Sequence, residues 1–272
     1  MSGNFIVGQY IPGTSPLHKL DPRTKLIMVF AYTIGLFFLP TWLPVLLAGI
    51  PLGIAVYASR LPWRYLLLGL RPLWILLVIT FLLHLLGGSS TAPPAPEDVW
   101  ATLGPWTITG TGAATGFTTV LRLAWLFSAA SLLTLTTSPM MVTHGLERLL
   151  GPLKRWRFPA HELAMMTSIA LRFIPTLQEE MDKIIKAQAA RGSSWRYGSW
   201  TRRAQALVAL MVPLLLSALR RADDLAVAME ARGYQGGEGR TAHHPLQMTR
   251  IDRWLLIITA LAGITIILWR WA

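Results

Sequence analysis

The chain has no cysteine, which excludes disulfides and thiolate-bound metal centres. Charge is scarce as well. Of the 272 residues 14% are charged, where ordinary soluble domains run nearer a quarter. Acidic residues are the scarcer sign, 13 against 25 basic. Residues 1–20 are polar and rich in Gly and Pro, without the apolar core of a signal peptide, so membrane insertion is expected to rely on later segments. No GxxxxGK(S/T) loop occurs, which argues against nucleotide binding by a P-loop, and there is no GxSxG. The apolar runs hold no paired carboxylates of the kind a proton-driven carrier or an intramembrane aspartyl protease needs.

What is abundant is hydrocarbon: 53% of residues are apolar and 12 are Trp. Residues 26–58 contain no charge but include Pro40, Pro44 and Pro51, so they read as two spans, 26–39 and 43–58, turning near Pro40-Thr41. The first is short, about 20 Å of a ~30 Å hydrocarbon core. A third span fits 66–86, interrupted early by Arg71-Pro72. A fourth fits 112–136, with Arg122 inside it, and a fifth 254–269.

The basic residues give this bundle a direction. Segments 19–25, 60–71 and 137–250 hold 22 of the 25 Lys and Arg, while the loop 87–111 has none, only Glu97 and Asp98. With five spans the three basic segments share one side, which the positive-inside rule makes the cytoplasm. The N-terminus is then expected inside and Ala272 outside. The same topogenic role accounts for the net charge of +12 without a nucleic-acid partner. The fold class expected is all-α and polytopic. It has an N-terminal membrane domain of four spans (1–137), a cytoplasmic helical region (138–250) and a C-terminal transmembrane helix (251–272).

The cytoplasmic region reads as helices divided by turn signals. Ser138-Pro139 offers an N-cap with Pro at N1. From Leu163 the apolar positions Met166, Ala170, Phe173, Leu177, Met181 and Ile184 follow at steps of three and four, one face of a helix. That helix carries Pro175, where a bend is expected, and stops at Ala190-Arg191-Gly192. A second repeats the plan: apolar over 207–219, a bend expected at Pro213, charged over 220–224, and a stop at Ala231-Arg232-Gly233. Pro and Arg are separated by 16 residues in one and 19 in the other. An apolar half and a charged half suit an interface between membrane and soluble partner.

Each motif also has a plain explanation. Gly at C′ with Arg in the last turn is ordinary helix termination, although two copies on similar helices favour docking through planar guanidinium forks. Asp21-Pro22-Arg23-Thr24-Lys25 reads as an N-cap, Pro at N1 and two cations at the start of a span. His161-Glu162-Leu163-Ala164-Met165 misses the second His of HExxH. His243 and His244 sit in a polar stretch. His84 suits interfacial packing, and Arg122 a structural pair or a contact to carbonyls. Gly49–Gly53 and Gly112–Gly116 are weak GxxxG matches.

Several of these stretches together resemble the transmembrane T components of energy-coupling factor (ECF) importers. They are Gly8-Gln9-Tyr10-Ile11-Pro12-Gly13, Ser15-Pro16-Leu17-His18 and Leu20 to Lys25. Leu171-Arg172-Phe173-Ile174-Pro175 and the two Ala-Arg-Gly tripeptides complete the set. The resemblance implies a non-catalytic membrane scaffold joining two ABC-type ATPases to a small substrate-binding membrane subunit, the S component, for uptake of a vitamin or other micronutrient. It implies that Ala190, Arg191 and Gly192, with Ala231, Arg232 and Gly233, couple to the ATPases. The apolar shaft at Leu207, Met211, Leu214 and Leu215 would meet the S component. No cofactor is expected in this chain, ATP and Mg being held by the ATPases, and membrane lipid is the remaining partner. Two alternatives stand beside it: a T component dedicated to cobalt or nickel, and, from another class, a membrane-embedded lipid-modifying enzyme using His84 or Arg122.

Overall fold

A computed structural model describes residues 10–87, 99–103, 106–152, 159–191, 199–236 and 248–271. Gly8, Gln9, Glu97, Asp98, Gly192, His243, His244 and Ala272 lie outside them. The chain divides into two compact units, Met1–Gly145 with Leu246–Ala272, and Leu146–Pro245.

The first unit opens with a single turn, α1 (Pro16–Lys19), and then α2 (Pro22–Phe38). The start of α2 follows its sequence. The Asp21 carboxylate accepts from the Arg23 amide at 2.9 Å, and Pro22 fills a position that needs no donor. The second expected span forms as two helices, α3 (Trp42–Leu47) and α4 (Gly49–Ser59). The third is α5 (Trp63–Leu70) and α6 (Trp74–Gly87), joined by a 3-10 turn over Arg71–Leu73, where Pro72 interrupts the α pattern. The fourth and fifth are α7 (Gly110–Thr136) and α11 (Arg250–Trp271).

The loop before α7 holds structure that periodicity did not announce. Strands β1 (Val99–Leu103) and β2 (Trp106–Thr109) pair antiparallel, with a register irregularity between Val99 and Ala101. Val99, Trp100, Thr102, Thr107 and Ile108 are β-branched or aromatic, which favours strand.

Helix α7 is the hub, packed by α2, α3, α4, α5 and α6. Two small cores lie along it. Leu52, Leu66, Ala129 and Leu132 form one, and Leu36, Leu39 and Val45 the other, with Tyr32 and Trp125 touching both. The Trp125 indole donates to the Val45 carbonyl at 3.0 Å and the Tyr32 hydroxyl to that of Ala48 at 2.9 Å. Large apolar side chains such as Phe30, Trp74, Ile75 and Leu83 face outward, as lipid contact requires.

On length and composition alone, four helical stretches among the described residues suffice to cross a membrane: Trp42–Ser59, Trp63–Leu86, Gly110–Thr136 and Arg203–Ala231. The first three coincide with expected spans. The fourth lies in the region read as cytoplasmic; its uncharged part runs from 204 to 219, with Arg203 and Arg220 at either end.

The second unit is dominated by two long helices, α9 (Ala160–Ala190) and α10 (Trp200–Ala231), preceded by α8 (Pro139–Leu150), which the division between units crosses. Both long helices run on through their internal prolines, Pro175 and Pro213.

Candidate functional site

The pairing of α9 with α10 follows from three polar contacts. Gln188 donates to the Ala209 carbonyl at 3.4 Å, Arg221 donates to Glu180 Oε2 at 2.9 Å, and the Ser217 hydroxyl donates to Glu180 Oε1. Moving back along α9 from 188 to 180 moves forward along α10, so the helices are antiparallel. The Ser217 hydroxyl holds the Glu180 carboxyl below the usual carboxylate range; partial burial works against this, and the Arg221 charge adds to it. A carboxylate gripped from two directions fixes the register of the two helices.

The two arginines sit where the helices end. Arg191 caps α9, its amide bonding the carbonyls of Ala187 and Gln188, and Arg232 caps α10, its amide bonding that of Met229. Gly233 adopts φ +70°, with its amide on Glu230 and that of Tyr234 on Met229. This is the left-handed termination for which Gly is suited. The helix-ending explanation and the docking explanation are therefore compatible, because termination leaves both arginines exposed. The antiparallel arrangement sends them apart. From the Glu180 grip, Arg191 lies roughly 17 Å up one helix and Arg232 some 23 Å along the other, in the opposite sense.

Between the tips lies an uncovered apolar shaft. Leu207, Met211 and Leu215 are 48%, 56% and 59% exposed, and Leu214 is half-buried. On α9 the face expected to be continuous is only partly covered. Phe173, Leu177 and Ile184 are half-buried, whereas Leu163, Met166, Ala170 and Met181 are exposed.

A second polar constellation lies in the first unit, and sequence reasoning saw only half of it. Lys25 is 5% exposed. Its ammonium donates to the carbonyls of Thr136 (3.0 Å) and His18 (3.4 Å) and to the Thr137 hydroxyl (3.3 Å). Asp252, fully buried, accepts from the Asp21 amide at 3.1 Å and from the amide and hydroxyl of Thr249 at 2.8 and 2.6 Å. His18 in turn bonds Ser15 (2.6 Å) and the Ile11 carbonyl (3.1 Å). The start of α2, the end of α7 and the start of α11 are thereby clamped at one pole. The Asp-Pro-x-Thr-Lys stretch caps α2 as expected, and its Lys25 is in addition buried in a polar knot. The missing half had a local signal: Thr249-x-x-Asp252 is a capping box, with the Asp252 amide returning a bond to Thr249 at 3.3 Å.

The remaining candidates have structural partners. Arg122 donates to the carbonyls of Leu36 (3.1 Å) and Leu39 (2.8 Å) and lies 5.7 Å over the Phe37 ring. It thus satisfies carbonyls that the end of α2 leaves open. His84 Nδ1 bonds the Thr80 carbonyl at 2.8 Å. The second GxxxG lets α7 approach α6: a Cβ on Gly112 would stand 2.6 Å from the His84 carbonyl oxygen. His161 pairs with Glu147 at 2.8 Å. Among the described residues no three His, Asp or Glu side chains could hold a metal ion.

These features define a polytopic helical membrane protein whose two exposed arginine tips belong to a separate pair of long helices. A family model described as cobalt transport protein (CbiQ) matches residues 13–243. A protein of Heliobacterium modesticaldum named energy-coupling factor transporter transmembrane protein EcfT is 52% identical, across 100% of this chain and 98% of its own. Proteins of the same name from Brevibacillus brevis and Bacillus subtilis are each 44% identical, over 99% and 94% of this chain and 100% and 95% of theirs. The chain belongs to this family, the transmembrane T components of ECF transporters.

Proposed function

We propose that this chain is the transmembrane coupling subunit of an ECF importer in the cell membrane, passing motion from two ABC-type ATPases to a small substrate-binding S component. The observation that carries the reading is the antiparallel α9–α10 pair with an exposed arginine at each far end. Two tips roughly 30–40 Å apart suit two separate soluble partners better than one. Each presents a planar fork suited to a carboxylate. Arg191 and Arg232 engage one ATPase each, and the exposed shaft at Leu207, Met211, Leu214 and Leu215 packs on the S component. ATP and Mg belong to the ATPases, and the substrate is chosen by the S component.

The clamped pole faces the cytoplasm in this reading. The concentration of Lys and Arg in the segments that reach it supports that side, as does the gathering there of the ends of α2, α7 and α11 demanded by five spans.

Reconstitution tests the proposal. Liposomes carrying the chain, an S component and both ATPases should take up substrate with ATP, and omission of the ATPases should abolish uptake. Concentrative uptake by the chain alone, driven by a proton or sodium gradient, would make it a carrier instead.

A further inference from the structure

The first unit contains a cavity of about 350 Å³ bounded by α2, α4, α7 and α11, with Lys25 and Thr136 at one end and Leu39 and Ile266 among its walls. Neither the clamp nor the coupling helices account for it. Left empty, an apolar recess of this size leaves its lining without dispersion partners on one side, so what fills it matters.

The lining answers in two ways. Four of its residues carry polar side chains, Lys25, Tyr32, Thr136 and Thr259, and each is already bonded within the protein. Lys25 holds its three acceptors at the clamp. Tyr32 donates to Ala48, Thr136 to the Leu132 carbonyl at 2.7 Å, and Thr259 to that of Leu255 at 2.8 Å. With those donors engaged, side chains offer little to orient a polar solute or to hold water, which needs two to four polar partners. A polar ligand would be desolvated without recompense.

The second feature is length. Along α2 the lining residues Lys25, Met28, Tyr32, Leu36 and Leu39 recur at steps of three and four, one face of the helix from end to end. That face rises about 20 Å, more than one leaflet's share of a ~30 Å hydrocarbon core. The cavity is a long apolar slot parallel to α2, starting at the clamped pole.

We propose that this slot is a lipid site that takes one acyl chain of a membrane phospholipid, lying along α2 between α4, α7 and α11. The ligand class follows from a lining that is apolar but for four side chains whose donors are already engaged and from the source of hydrocarbon a membrane helix bundle meets. The site requires only that the bundle be embedded, and does not depend on how α9 and α10 couple.

The test uses the purified full chain in nanodiscs of phosphatidylcholine bearing a photoactivatable diazirine on one acyl chain. After irradiation, adducts are mapped by mass spectrometry. Labelling is expected on cavity residues of α2 and α11, Tyr32 and Ile258 included. It should survive exchange into detergent before irradiation, when outward-facing Ile75 and Leu83 lose theirs. Ala31→Phe and Ala262→Phe, which narrow the slot from different helices, should each cut retained labelling at least fivefold while leaving labelling of Ile75 in the nanodisc unchanged. That control fixes the labelling efficiency, and unfolding in mixed micelles that matches the parent shows the variants are folded. No retained labelling of the slot, or retained labelling that neither variant reduces, would overturn the proposal. So would a slot labelled in the isolated chain but protected in the complete transporter, because a partner side chain would then be its occupant.

Discussion

Lys25→Met is the sharpest test of the clamp. Met nearly matches the length of Lys, so the change removes three donated bonds and a charge while largely keeping the volume. Two of the three acceptors are backbone carbonyls, those of His18 and Thr136. The second belongs to the last turn of α7, where no intrahelical donor remains. An acceptor left buried without a donor costs ~1–3 kcal/mol, so the two together predict a loss of about 2–6 kcal/mol, against a total stability of ~5–15 kcal/mol. The measurement is unfolding of the purified chain in mixed micelles, followed by tryptophan fluorescence. Thr137→Val should cost much less, and the double variant should lose less than the sum, since both act on one network. A Lys25→Met protein within ~0.5 kcal/mol of the parent, the scatter of ordinary surface changes, would refute the clamp as a stabilising device.

Arg191→Ala and Arg232→Ala should each weaken ATPase association in pull-down without unfolding the chain, by ~2–5 kcal/mol if the fork meets a buried carboxylate; full transport by the double Arg→Lys variant would show that planar pairing is not needed. Glu180→Gln should loosen α9 from α10, read as faster amide exchange around Ala209. The parent should behave likewise in acid: the grip is complete above the ordinary Glu range near ~4.3 and is lost as pH falls through the lowered value in the folded chain. Tags at Ser2 and beside Arg196 should report cytoplasm and tags near Ser90 and at Ala272 the outside, a cytoplasmic C-terminus being the result that breaks the five-span reading.

How much of this was legible depended on distance along the chain. The cap at Asp21-Pro22, the break at Arg71-Pro72 and the helix ends at Arg191 and Arg232 are written within a few residues, and all form where the local chemistry places them. The contact between Asp252 and the Asp21 amide joins residues 231 apart, and that between Lys25 and Thr136 joins residues 111 apart. No periodicity encodes either. The α9 face is less covered than its periodicity suggests, for a related reason. Periodicity shows which side chains share a face, but the partner helix decides how far along it they are covered, and α10 meets α9 around Glu180 and leaves Leu163 and Met166 bare. The hairpin of β1 and β2 escaped because two strands of five and four residues are too short for alternation to stand out.

The Glu180 grip bears on how a coupling element can work at all. Two helices joined only by apolar contacts can slide past one another by small steps, since one methyl group replaces another at little cost. A carboxylate held by Ser217 from one side and Arg221 from another resists that slide, because a shift of one turn, about 5.4 Å, would break both bonds. Force applied at Arg191 is then delivered to α10 near its middle, below the apolar shaft, and force at Arg232 reaches α9 through the same point. In the proposed assembly the ATPases close on the two tips together, so the pair moves as one lever, and the shaft turns with it against whatever is packed there. An antiparallel pair without such a fixed point would absorb the same motion as slippage. The brace, and not only the arginine tips, is therefore what a coupling function requires of this sequence.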